Sequence, residues 1–179
     1  MKLLLHICCA PCLIFPLERL QEEGHEVMGF FYNPNIHPQE EYQKRREEVE
    51  ILSRELKFDV VYPDYNPQDF FSQVKPDMGF PGRCPICWEL RLLKTAQAAK
   101  GMELEGFTTT LLVSPYQDQL LLRGIGERIE EEENISFFYE DFRPGFKAAH
   151  EEAKKKGIYC QKYCGCTYSL EERSKKPRK

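Results

Sequence analysis

The chain has 179 residues, enough for one domain with a hydrophobic core of its own, so disulfides are not needed to hold it together. Its 41% hydrophobic and 30% charged residues are those of a soluble globular protein, and apolar runs such as Leu111-Leu112-Val113 are far too short to span a bilayer. The net charge of −4 hides an asymmetry: residues 143–179 hold 11 Lys or Arg against 4 Asp or Glu, and the rest hold 14 against 25. Such a basic region suits a nucleic-acid surface. It equally fits a solvated helix at Lys154-Lys155-Lys156 with a frayed tail from Ser174 to Lys179.

In chain order, Lys2 to Ile7 reads as a buried strand. The start looks like an export signal for a few residues, then meets Cys8-Cys9 and Pro11 with no small-residue cleavage site. The expected compartment is therefore a reducing cytosol, in which the eight cysteines stay unpaired. Leu13, Leu17 and Leu20 recur at helical spacing to Glu23, and Gly24 ends that helix. Glu26 to Tyr32 is a second strand, followed by a turn-rich loop from Asn33 to Pro38. A charged amphipathic helix covers about 39–56, and Asp59 to Tyr62 is a short third strand.

The stretch from Pro63 to Arg83 is rich in Pro and Gly, with at most a short helix near Gln68 to Val74. A helix follows over about 85–100 and stops at Gly101. Gly106 to Leu112 is a fourth strand, with a helix from about Pro115 to Glu133 behind it. Ile135 to Tyr139 is a fifth strand, and a helix runs from about Pro144 to Lys156. This alternation predicts one α/β domain over 1–179: a three-layer, doubly wound parallel sheet of about five strands. A cysteine-rich C-terminal segment occupies about 157–179. In such a sheet the site lies beyond the C-terminal strand ends, at the switch point. The turn after the first strand is Cys8-Cys9-Ala10-Pro11-Cys12. It has no glycine to admit a phosphate, so thiols stand where a nucleotide loop would be.

The cysteines form three groups: Cys8, Cys9 and Cys12; Cys84 and Cys87; Cys160, Cys164 and Cys166. Two Cys-x-x-Cys spacings in one chain of a reducing compartment point to metal, since soft thiolates suit zinc or iron–sulfur clusters. A structural four-cysteine zinc site would leave several cysteines spare. A thioredoxin-like dithiol at Cys9 and Cys12 would leave more. Seven or eight thiolates exceed the needs of one four-coordinate metal. Adjacent side chains tend to diverge, so Cys8 and Cys9 are expected to serve two different centres.

Other residues carry two readings each. His6 reads as a packed core histidine, and His25 and His150 as surface residues. His37 reads as a loop residue with either a functional or a turn role. Trp88 reads as packing. Arg83 and Arg91 flank the second cysteine pair, where they could steady an anionic cluster, hold a phosphate or form ordinary ion pairs. Asp118, near the expected site mouth, is a candidate oxygen ligand or proton donor, or a helix-start carboxylate.

The stretch Leu5-His6-Ile7-Cys8-Cys9-Ala10-Pro11-Cys12 resembles the opening motif of the cobalamin-independent epoxyqueuosine reductases, the QueH family. The likeness continues through Tyr32-Asn33-Pro34-Asn35-Ile36-His37-Pro38, Glu41-Tyr42, Gly82-Arg83-Cys84-Pro85-Ile86-Cys87 and Arg91. It resumes at Thr108 to Tyr116 and Asp141-Phe142-Arg143, and ends at Tyr163-Cys164-Gly165-Cys166 with Tyr168-Ser169. Two departures stand out: Leu13 occupies a position where the family often has a small hydroxyl residue, and Cys160 lies outside the motif.

The resemblance implies reduction of the epoxide of epoxyqueuosine in tRNA to the alkene, the last step of queuosine synthesis. It implies a fold like the adenine nucleotide α-hydrolase (HUP-like) group without ATP chemistry. It also implies a [4Fe–4S] cluster with an additional mononuclear metal, iron or another divalent ion. The ligands assigned to these centres are Cys8, Cys9, Cys12, Cys84, Cys87, Cys164 and Cys166. Asp118 or Tyr116 is the expected proton donor. The implied partners are the tRNA anticodon loop and an external electron donor in the cytoplasm, with no membrane. Tyr32, Tyr116 and Tyr168 are candidates for stacking on bases. The competing classes are an iron–sulfur-dependent, ATP-using tRNA sulfur transferase, which needs a phosphate loop not found here, and a zinc-stapled binding module.

Overall fold

A computed structural model describes residues 1–75 and 78–175. Pro76 of the expected loop and residues 176–179 of the expected basic tail lie outside the described residues. Strand β1 (Lys2–His6) is the centre of the fold. Leu3, Leu4 and Leu5 are all fully buried, so both faces of the strand are covered, as in parallel sheets. It pairs in parallel with β2 (Glu26–Phe30) on one side and β4 (Gly106–Thr109) on the other. Strand β3 (Val60–Val61) pairs with β2, and β5 (Ser136–Phe137) pairs with β4. The five-stranded order is β3-β2-β1-β4-β5.

Helix α1 (Ala10–Glu22) packs against α2 (Gln39–Glu55) and α6 (Phe146–Lys155). Helix α4 (Arg83–Gly101) packs against α5 (Gln119–Glu133) and on β1 and β4. A short α3 (Gln68–Phe71) and a terminal α7 (Thr167–Lys175) complete the order. The expected α/β class with a parallel five-stranded sheet is what the protein has. No helix among the described residues is long and apolar enough to cross a membrane.

Three departures from the expected elements bear on the site. Strand β4 stops at Thr109, not Leu112, and the chain turns into a 3-10 segment over Thr110–Val113. The Thr109 hydroxyl accepts from the Leu111 N–H at 3.1 Å, and this local bond competes with a longer ladder. Helix α5 starts at Gln119, later than expected, because the Asp118 carboxylate caps it by accepting from the Leu121 N–H at 3.0 Å. Helix α7 carries no apolar periodicity to announce it and buries none of its residues.

Gly126, inside α5, lets that helix lie directly on the Phe137 ring, and a Cβ there would overlap it. Phe137 is backed by Phe107, with ring centroids 5.2 Å apart, so it has little room to yield. Alanine's helical advantage of about 1 kcal/mol is outweighed by overpacking of about 1–3 kcal/mol. We expect Gly126→Ala to lower the midpoint of urea unfolding without changing the slope; an unchanged or raised midpoint would contradict this packing.

Candidate functional site

The sheet order places β1 and β4 side by side, and the chain leaves them toward opposite edges of the sheet. The crevice beyond their C-terminal ends is the switch point, where ligands bind in open parallel sheets. Cys8 follows β1 and Thr110 follows β4. The Thr110 hydroxyl accepts from the Cys8 N–H at 3.0 Å and donates to the Cys8 sulfur at 3.2 Å. Beneath them His6 is fully buried, with Nδ1 2.9 Å from the Thr109 hydroxyl and Nε2 3.1 Å from the Tyr32 carbonyl. Burial, then the Arg91 charge, pushes its pKa down to about 3, so it is the neutral core histidine expected.

Cys8, Cys9 and Cys12 bring their sulfurs within 4.8 Å of one another. The Cys8 and Cys9 sulfurs are 3.7 Å apart, so the expected divergence of these neighbours is not seen. Strand alternation does not apply to them, because Cys8 has left β1 and Cys9 is the N-cap of α1. Pro11 lies in the first turn of α1, and Pro16 cannot donate to the Cys12 carbonyl, which leaves that turn one helical hydrogen bond short. Hydrogen bonds from Cys12 and Cys9 hold the Cys8 thiol well below its usual range. The same contacts push Cys12 up, and burial pushes Cys9 up. The triad therefore holds one thiolate readily, among thiols that need a cation to ionise. The Gln161 amide donates to the Cys9 sulfur at 2.9 Å.

The other thiols come from α4 and the loop before α7. Pro85 is accommodated in the first turn of α4, where its missing N–H costs nothing. Cys84 and Cys87, three residues apart at that helix start, lie on one face. Burial raises the Cys84 pKa to about 11 and raises Cys87 as well. The Cys164 and Cys166 sulfurs are 3.8 Å apart. A hydrogen bond from Cys166 pulls Cys164 down to about 6 and pushes Cys166 up. The Ser169 N–H donates to the Cys166 sulfur at 3.4 Å.

This loop is anchored by Arg45, whose side chain is 2% exposed. Its guanidinium donates to the carbonyls of Tyr163 and Cys164, both at 3.1 Å, and pairs with Glu41 at 2.7 Å. The His37 N–H donates to the Gly165 carbonyl at 2.8 Å, and the Tyr163 hydroxyl to the His37 carbonyl at 2.5 Å. Gly165, with φ +126°, sits where a Cβ would be 3.0 Å from Ile36 and 3.3 Å from Arg45.

A cavity of about 320 Å³ opens at the switch point. Cys8, Cys12, Cys84, Cys87, Cys164 and Cys166 all line it, so the three cysteine groups meet at one place. Cys9 and Cys160 are not among its lining residues. Its walls also carry Arg45, Arg83, Arg91 and Lys162, and no Asp or Glu among the described residues. Arg83 and Arg91 are buried; Arg83 pairs with Glu172 at 2.6 Å, and its Nε has no partner.

Trp88 and Tyr116 line the cavity as well; Trp88 is buried, whereas Tyr116 is 81% exposed. Asp118 is exposed, caps α5 and does not line the cavity. Tyr32 is buried, with its hydroxyl on Asp69 at 2.8 Å, and is not available to a base. Tyr168 packs near Phe70 and Arg83, outside the cavity lining. His37 stacks on Phe71 at 4.5 Å and lies beside the third cysteine group, not in the cavity. Sequence reasoning missed Thr110, Arg45, Gln161 and Ser169, and placed His150 on the surface although it lines the cavity. The one local signal was the Glu41–Arg45 spacing of four residues on a helix.

The donor set fits a sulfur-ligated group. A tetrahedral metal with bonds of about 2.3 Å sets its sulfurs about 3.8 Å apart. The separation of 3.7 Å for Cys8–Cys9 matches that edge. The partnerless buried Arg83 Nε is a donor that such an anionic group would satisfy.

A family model described as epoxyqueuosine reductase QueH matches residues 3–172. The epoxyqueuosine reductase QueH of Dehalococcoides mccartyi is 38% identical over 177 residues, covering 98% of this chain and 96% of that protein. That of Thermotoga maritima is 39% identical over 183 residues, covering 97% and 92%. Among solved structures, a deacetylase complex from teicoplanin biosynthesis has a TM-score of 0.55 at 10% identity, covering 87% of this chain and 83% of that one. At that identity the likeness is one of fold alone.

The Arg45 clamp gives a direct expectation. Removing one partner of a buried, hydrogen-bonded ion pair costs about 3–5 kcal/mol, because the other charge is left unpaired. Arg45→Met is expected to lose stability on that scale in denaturant unfolding and to expose residues 157–175 to limited proteolysis. Wild-type resistance of that segment would show that other contacts anchor it.

Proposed function

The chain belongs to the epoxyqueuosine reductase QueH family, and from that membership we propose that its cysteine-lined cavity reduces the epoxide of epoxyqueuosine in tRNA to the alkene of queuosine. This is the last step of tRNA queuosine biosynthesis. The observation that carries the reading is the meeting of six cysteines from three chain segments on one cavity with arginines in its walls. Strand order β3-β2-β1-β4-β5 is that of doubly wound sheets in general and is compatible with the likeness to the adenine nucleotide α-hydrolase group.

In this reading Cys8, Cys9 and Cys12 hold a mononuclear metal, iron or another divalent ion. Cys84, Cys87, Cys164 and Cys166 hold a [4Fe–4S] cluster. The compact triad suits a single ion. Cys164 and Cys166 stand 3.8 Å apart, but the four do not gather as a set within that radius, which suits the wider frame of a cluster. When bound, these groups supply electrons one at a time and Lewis acidity toward an oxygen.

The chain's own residues do the rest. Arg83 and Arg91 offset the negative charge of the sulfur-bound group. Thr110 and Gln161 hold the Cys8 and Cys9 sulfurs in place by hydrogen bonds. Tyr116, exposed at the mouth, offers a face on which an anticodon-loop base can stack. Lys162 and the lysines of α6 offer contacts to phosphates. An external low-potential donor in the cytoplasm supplies the electrons.

The test begins with anaerobic purification and iron analysis. The protein is then incubated with epoxyqueuosine-bearing tRNA and a low-potential reductant, and the nucleosides are analysed. Queuosine should form, and Cys84→Ala should lose iron and at least about 100-fold of the turnover. Cys160→Ser should keep both. A colourless protein holding zinc alone after reconstitution, and converting nothing, overturns the reading.

A further inference from the structure

Resting on the reductase reading, we propose that His150 is a catalytic residue that delivers a proton to the departing epoxide oxygen. The cavity walls hold few groups able to do so. No carboxylate lines them among the described residues, and arginines keep their protons at any working pH. The cysteines are taken as metal donors, and the Tyr163 hydroxyl is spent on the His37 carbonyl at 2.5 Å. The two expected donors do not fill the role: Asp118 caps α5 away from the cavity, and Tyr116 stands 81% exposed at its rim. Lys162 is also exposed. His150 is half-buried, lines the cavity and carries an imidazole, a side chain with two ring nitrogens that can give and take a proton.

Its geometry is that of a prepared acid. Nδ1 is 3.0 Å from the carbonyl of Phe146, one turn earlier on α6. A carbonyl only accepts, so Nδ1 must carry a hydrogen in either protonation state. Nε2 has no partner in the protein among the described residues and is the nitrogen left to serve the cavity. The protonated ring can give up the Nε2 hydrogen and remain in the tautomer that its Nδ1 bond already requires. The ring is held in place by Phe146, with centroids 4.1 Å apart, and Tyr116 meets Phe146 edge-on at 5.8 Å. Helix α6 packs on α1, the helix that carries Cys12, and the ring lines the same cavity as Cys8 and Cys12.

The step balances as follows. Both C–O bonds of the epoxide break, a carbon–carbon double bond forms and the oxygen leaves as water. Two electrons come from the external low-potential donor, one proton from His150 and one from solvent. The neutral ring regains its proton from solvent through the cavity mouth.

The test compares wild type with His150→Gln and His150→Ala, each reconstituted identically, assayed for iron content and visible spectrum, and its turnover expressed per iron. His150→Gln should lower kcat about 10²–10³-fold with KM for the tRNA within about twofold. Added imidazole should restore part of the turnover of His150→Ala and none to His150→Gln, whose side chain fills the site. Three results overturn the proposal: kcat within about threefold of wild type in His150→Gln, loss of iron as the sole defect, or a raised KM with kcat intact. Wild-type turnover, measured alongside, is the separate check on the reductase reading, and its absence overturns both.

Discussion

A threonine hydroxyl joins the two halves of this protein where its chemistry is gathered. Strands β1 and β4 are neighbours in the sheet but feed chain segments that run to opposite sides. The Thr110 side chain closes that divergence by bonding both the backbone and the sulfur of Cys8. It can do so because β4 ends at Thr109 and the chain turns at once. One more pair of ladder residues would extend the strand through Thr110 and replace the local turn from which it reaches Cys8. The early stop of β4, a small departure in secondary structure, is thus a condition for the triad's position.

The remaining thiols are held by a different device. Burying a guanidinium is costly unless its donors are satisfied, and Arg45 satisfies them with one carboxylate and two backbone carbonyls. Those carbonyls belong to the segment that brings Cys164 and Cys166 to the cavity. The same logic runs through the walls. Arg83 and Arg91 are buried beside sulfur and not beside carboxylate alone, so their charge is matched in full only when the thiols ionise. Fold and site therefore share their electrostatics: the charges of Arg83 and Arg91 work against the burial that raises the Cys84 and Cys87 thiols.

The sheet was legible in the sequence because its signals are local. A run such as Leu3-Leu4-Leu5 demands burial on both faces, and alternation with helices fixes the parallel class. The switch-point rule points to the turn after β1, and two of its cysteines, Cys8 and Cys12, line the cavity. What escaped was set by tertiary geometry. Cys8 and Cys9 converge because the chain changes from strand to helix between them, which a strand-based rule cannot anticipate. Arg45 looks like any helix-face arginine until residues far along the chain arrive at it. His150 shares its pattern of polar neighbours with a solvated face, and its place in the cavity wall shows only once the chain is folded. Tyr32 and Asp118 failed in the opposite sense: both are ordinary structural residues near an unusual site.

Gly165 adds a stereochemical limit to the third cysteine group. Its backbone lies in a region that side chains rarely adopt, and the space beside it is taken by Ile36 and Arg45. The residue between the two cysteines is therefore dictated by the shape of the loop and by the neighbours that clamp it, with sulfur chemistry having no say. The Cys-Gly-Cys spelling records a packing constraint, and the placement of both sulfurs inherits it. Variation in sulfur placement at this corner must then come from the flanking turn, since the hinge between the two cysteines has no freedom to give.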